Sequence, residues 1–120
     1  MEFQTRRWVR PEDLNPHNTL FAGRLLEWVN EQIGVATVVQ LKNKRFAARH
    51  ISDINFISPA RSGDVIEIGV EIAEIGRTSI TFRAEVHNFS TQKTMLTVEK
   101  VIMVLLDDMG TPIPHGITQQ

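Results

Sequence analysis

The chain of 120 residues contains no cysteine. That absence removes disulfides, thiolate nucleophiles and zinc-thiolate centres from the available chemistry, and it fits a reducing compartment. A charge imbalance is also lacking: 13 basic residues stand against 14 acidic ones, for a formal net charge of −1. Nothing in bulk therefore draws the chain to nucleic acid or to an anionic membrane, and an anionic ligand must be held by a local patch. Long hydrophobic runs are missing too. The opening MEFQTRRWVR has no apolar segment of the signal-peptide kind, and no window approaches the roughly 18 apolar residues of a spanning helix, so the expected setting is cytoplasmic. G-x-S-x-G, a P-loop glycine pattern and H-E-x-x-H are absent, which withdraws support from serine hydrolase, nucleotide hydrolase and zincin readings. His17, His50, His87 and His115 are scattered over different segments, without the grouping a metal ion requires, so no metal is expected.

What is present suits one compact domain over residues 1–120. Hydrophobic content is 42%, and splitting so short a chain would leave neither half enough buried surface. Residues 5–10, TRRWVR, read as a short strand stopped by Pro11, which has no donor for a ladder. PEDLNPHNT is dense in turn formers and reads as a loop. From Ala22 to Thr37 the apolar residues Leu25, Leu26, Val29, Ile33 and Ala36 recur every three or four positions, which makes one buried face of a helix.

Beyond it the period changes to two. In FAARHISDINFIS the alternation puts Ile51 and Ile57 on one face and Phe46, Ile54 and Phe56 on the other. Turn clusters then separate VIEIGVEIAEI, ITFRAEV and TMLTVEKVIMVLL, three consecutive antiparallel strands. The tail DDMGTPIPHGITQQ reads as a frayed or surface-running end. The fold class is α+β, one long central helix covered by a curved antiparallel sheet. Edges of so small a sheet call for cover by a second copy, so a dimer is expected.

Chemistry points to the start of the helix. Its first turn offers unpaired N–H groups and the positive end of the dipole, and a carbonyl oxygen placed there is polarised. Ala22 and Gly23 are small enough to let a substrate approach that backbone. Farther along, Glu27 and Glu31 share a face four residues apart, and Asn30 lies on a neighbouring stripe. If the sheet wraps the helix, these polar groups need partners or a cleft.

In NPHNTLFAGRLLEWVN the chain resembles the hotdog-fold acyl-CoA thioesterases, in particular the short bacterial acyl-CoA hydrolases related to the brain acyl-CoA hydrolase. Asn15, Leu20, Phe21, Gly23, Leu26 and Val29 match that pattern; Asn18 and Ala22 replace glycines, and Asn30 stands where the family's catalytic aspartate is expected. INFISPARSGDVIEI and IGRTSITFRAEV are similar to two further family segments. The resemblance implies a hotdog fold, hydrolysis of acyl-CoA with CoA as part of the substrate and no other cofactor, and a homodimer with sites at its interface, assembled further into a tetramer or hexamer. Asn18 can keep a left-handed turn. Asn30 can serve neither as nucleophile nor as base, although it can orient water or hold a thioester by hydrogen bonds. Glu31 points about 100° away on an ideal helix, which leaves Glu27 or a carboxylate of a second subunit to supply the base.

Around Arg77, Thr78 and Ser79 a guanidinium, two hydroxyls and N–H groups suit CoA phosphates. Arg61 and the run Lys42, Lys44 and Arg45 are expected to add to that patch. Two rival readings follow from the same residues: a thioester-binding protein without activity, because of Asn30, and a hydratase using His17 and Glu27, whose ten-residue spacing fits those families poorly.

Overall fold

The computed structural model describes residues 1–118. Its elements, in chain order, are β1 (Phe3–Trp8), a 3-10 turn (Pro11–Asp13), α1 (Ala22–Leu41), β2 (Phe46–Phe56), β3 (Val65–Ile75), β4 (Ser79–Asn88) and β5 (Lys93–Leu105). The strands form one five-stranded antiparallel sheet in the order β1-β3-β4-β5-β2, with the helix against one face. This is the expected α+β architecture of a helix set against an antiparallel meander, with β1 and β2 at its edges.

The helix forms where the three-four period places it. Leu25, Val29 and Ile33 are buried on one stripe, joined by Trp28 and Thr37, and each large side chain taken out of water contributes about 1.5–3 kcal/mol. It runs four residues past Thr37 and stops at Lys42, which adopts φ 53° and donates its N–H to the Val38 carbonyl. Leu41 packs on the core, so tertiary contact carries a β-branched stretch that propensity alone disfavours. Opposite it, Ile66, Ile68, Ile80, Phe82, Ala84, Val86, Leu96 and Val98 supply the sheet's half of the core.

Strand β1 begins and ends two residues earlier than the sequence suggests. Pairing of Phe3 with Gly69 and Trp8 with Val65 sets its limits, and Val9 leaves the ladder to donate to the Asp64 carbonyl at 2.9 Å. Alternation fails in β2, where Ile51 and Ile54, expected on opposite faces, both line the helix side, because Asp53 between them turns the chain with φ 55°. The tail is a surface-running strap through Thr118. Ile113 donates to the Leu105 carbonyl, His115 bonds the hairpin before β4, and Ile117 packs on the core. The last two residues of the expected frayed end, Gln119 and Gln120, lie outside the described residues. No helix among the described residues is long and apolar enough to cross a membrane.

Candidate functional site

The loop that enters the helix is built around one side chain. The Asn15 carboxamide oxygen accepts from the N–H groups of His17 (2.8 Å) and Thr19 (3.2 Å), while its nitrogen donates to the Thr19 hydroxyl at 2.9 Å. Asn18 takes φ 62°, the left-handed turn anticipated for it; a short polar side chain tolerates that conformation where a β-branched one does not. Leu20 then donates to the Ala60 carbonyl at 2.8 Å and Phe21 to that of Asp13 at 2.9 Å. The helix start is thus clamped between this loop and the chain following β2.

Phe21 is the N-cap, and no side chain caps the first turn. The N–H groups at its positive end are left for water or a ligand. Ala22 lines a groove of about 250 Å³ with Leu20, Leu25, Phe56, Ile57 and Met95 among its walls. Gly23 has a second task beside the one read from sequence: a Cβ there would lie 2.7 Å from Cε2 of Phe21, so the missing side chain is what lets that ring fold back on the helix.

Two turns farther, Asn30 opens into a groove of about 150 Å³ between α1 and strands β2 and β5. Leu26, Val29, Ile33, Ile51, Ile54, Val98 and Val101 complete its lining, and Asn30 is the one polar side chain among them. Asn30 itself is exposed, so its carboxamide can donate to and accept from a group held at the edge of the groove. Along the axis it lies about 10 Å from Gly23, so one carbonyl cannot touch both within a single chain.

The two acids of the stripe are not in this groove. Glu31 lies 3.8 Å from Arg7 of β1, and Arg24 bridges Glu27 at 3.8 Å and Asp13 at 3.4 Å. The Arg7 guanidinium also stacks 4.4 Å from the Trp28 ring centre. Glu27 and Glu31 therefore occupy a polar cleft on the β1 flank of the helix, whereas Asn30 faces the β2 flank. Within one protomer Glu27 does not stand in for an acid at position 30. Nor does the structure join His17 to Glu27, since His17 sits in the Asn15 loop and Glu27 is engaged by Arg24.

The expected phosphate patch is divided. Arg77, Thr78 and Ser79 form the turn after β3, where Thr78 and Ser79 carbonyls accept from Leu105 and His115 and the Arg77 side chain is exposed. Arg61 precedes β3, with its N–H on Asp64 at 2.9 Å. The eleven residues of β3 separate the two arginines, about 35 Å of extended strand. Arg61 thus shares the end of the molecule that carries the helix start. The Lys42, Lys44 and Arg45 loop shares the Arg77 end, because Phe46 pairs with Leu105 and Leu106 donates to the Arg45 carbonyl.

The family model of the thioesterase superfamily matches residues 17–95, from the Asn15 loop through the start of β5. The chain belongs to that superfamily. A Bacillus subtilis relative of this thioesterase-superfamily chain, the uncharacterized acyl-CoA thioester hydrolase YkhA, is 23% identical over 109 residues, 88% of this chain. The match spans only 63% of the relative's own length. Among solved structures, the hexameric thioesterase of Yersinia pestis superposes with a TM-score of 0.84 at 23% identity, over 96% of this chain and 97% of that one. The hexameric hotdog-fold thioesterase of Campylobacter jejuni gives 0.77 at 23% identity, over 95% and 90%. Both show the fold: the superfamily member described above is a hotdog.

Proposed function

We propose that the chain hydrolyses acyl-CoA thioesters to free CoA and a carboxylic acid. The observation that carries this reading is Asn30, an exposed residue bordering an apolar groove at the helix position where the resemblance puts the family's catalytic group. Superfamily membership and the name of the Bacillus subtilis relative support the substrate class. The acyl chain lies in the apolar groove along α1, and the amide holds the thioester by hydrogen bonds. Uncapped N–H groups at Ala22 and Gly23 polarise a carbonyl, contributed from a second subunit because 10 Å of helix, or about that, separates them from Asn30. Arg77, with Thr78 and Ser79, takes the CoA phosphates. Arg61 lies too far along β3 to join it in one protomer and serves, if at all, across a subunit boundary.

The same reading calls for a homo-oligomer. β2 is an edge strand whose Ile51, Ile54 and Phe56 are exposed, as is Ile57 just beyond it, and pairing with a second copy covers a row of open backbone groups and this apolar surface. The two structural neighbours are described as hexameric, and we extend that assembly to this chain. The test is a panel of acyl-CoAs of graded length, with thiol release followed against a heat-treated control. Release above the control for a subset of lengths is expected. None for any length, with binding retained, would leave a thioester-binding protein instead.

A further inference from the structure

The tail beyond β5 is fastened to the turn after β3 through one residue. His115 donates its backbone N–H to the Arg77 carbonyl at 3.2 Å, and its ring Nε2 lies 2.9 Å from the Ser79 carbonyl oxygen. The other ring nitrogen, Nδ1, lies 2.9 Å from the N–H of Ile117, a residue that packs on the core. A backbone N–H can only donate, so Nδ1 carries the lone pair and Nε2 the proton. The partners thus select one neutral tautomer, in which Nε2–H donates to Ser79.

The consequence falls on the turn. The carbonyl of Arg77 accepts from the His115 N–H, that of Thr78 from the Leu105 N–H at 3.0 Å, and that of Ser79 from both Nε2–H and the Gly76 N–H, each at 2.9 Å. The N–H groups of Arg77 and Thr78 have no acceptor among the described residues. A turn whose acceptors are spent and whose donors are open suits an anion, and the exposed Arg77 guanidinium adds charge to it. Without His115 the Arg77 carbonyl loses its partner and the Ser79 carbonyl one of two, which frees the peptide units to turn an oxygen toward a phosphate.

We propose that His115 is a positioning residue for CoA, holding the turn of Arg77, Thr78 and Ser79 with its donors toward the phosphates. The inference rests on the reading above, which gives those phosphates to this turn. His115 takes no proton in the reaction and acts only through the turn, so its effect falls on CoA binding and leaves the chemical step alone. The two ring nitrogens divide the work. Nε2 holds Ser79, whereas Nδ1 holds Ile117 and with it the tail's own seat on the core.

The test compares an acyl-CoA with the acyl thioester of N-acetylcysteamine, which keeps the thioester and lacks the phosphates. His115→Asn retains an acceptor in the place of Nδ1 but is too short to reach Ser79, whereas His115→Gln extends a donor in the place of Nε2. His115→Asn should raise KM for acyl-CoA about tenfold, the size of one lost charge-assisted hydrogen bond. Its kcat, and its KM for the truncated thioester, should stay within about twofold of wild type. His115→Gln should recover most of the loss. An unchanged KM for acyl-CoA in His115→Asn, or an equal rise for both thioesters, overturns the role of His115. Should that variant not fold, the wild-type chain decides by nuclear magnetic resonance: CoA should shift the His115 ring signals and the Arg77 and Thr78 amides, and signals that CoA leaves unmoved overturn it. A wild-type chain that releases no thiol yet binds CoA, more weakly in His115→Asn, overturns hydrolysis and keeps the positioning role. A chain that binds no CoA overturns both.

Discussion

Asn88 is fully enclosed where β4 turns toward β5, and each end of its amide is used. Its nitrogen donates to Asp64 Oδ2 at 2.9 Å and its oxygen accepts from the Thr91 N–H at 3.2 Å. The same Asp64 oxygen accepts from the Arg61 N–H, so one side chain ties two turns together at the Arg61 end. Asn88→Leu removes both of these bonds from a fully enclosed site and should cost about 1–3 kcal/mol, measured by urea unfolding. Thr37 is equally enclosed, yet its hydroxyl donates to Ile33 of its own helix at 2.7 Å. Thr37→Val leaves no new unpaired donor, and its cost should stay below about 1 kcal/mol. Residues of this kind differ in what the sequence reveals. Asn18 was legible because a left-handed turn selects a small set of side chains. Asn88 was not, since an Asn beside a turn looks the same whether it is solvated or buried.

At the scale of elements, the uncapped helix start and the left-handed Asp53 within β2 both depart from ideal construction. Phe21→Asp supplies the cap that α1 lacks and should raise stability by about 0.5–1 kcal/mol. Its carboxylate would also occupy the N–H groups of the first turn, so thiol release should fall at least tenfold, or about 1.4 kcal/mol. Higher stability with undiminished turnover would remove Ala22 and Gly23 from the reaction. In β2, Asp53→Val forces a β-branched residue into φ 55° and should cost about 1–2 kcal/mol by thermal unfolding, whereas Asp53→Asn should be near neutral. Equal stability of the two variants would mean that the turn relaxes. The period-two pattern fixed neither this left-handed residue nor the facing of Ile51. β2 follows β5 in register here, and the extra residue of β5 arises from its pairing with β4, a strand the β2 sequence does not contain.

For the whole molecule, sheet order governs where the charges and open surfaces fall. With β2 at one edge and β1 at the other, Glu31 pairs with Arg7 of β1 and Glu27 with Arg24 of its own helix on that same flank, while the apolar groove lies toward β2. Ile57→Lys places a charge at the exposed end of β2, where Ile57 is 57% accessible in the single chain. The oligomer should weaken or fall to a lower order in light scattering, with an unchanged far-ultraviolet spectrum and reduced thiol release. An unaltered assembly would place the subunit contact elsewhere.

The sequence by itself determined the class of the molecule. A three-four period in one segment and alternation in four others can be buried only as one helix against an antiparallel sheet, and the Asn15 loop and Asn30 stand out in it by residue type alone. Tertiary structure decided which of the polar residues meet. Glu27 and Asn30 are three apart in sequence and open on different flanks of α1 because different strands lie beneath each flank. Arg61 and Arg77, both in loops that suit an anion, are held apart by the length of β3. Val98 and Val101 line one groove only because β4 and β5 disagree by one residue in their pairing, and that disagreement exists in no single segment of the chain.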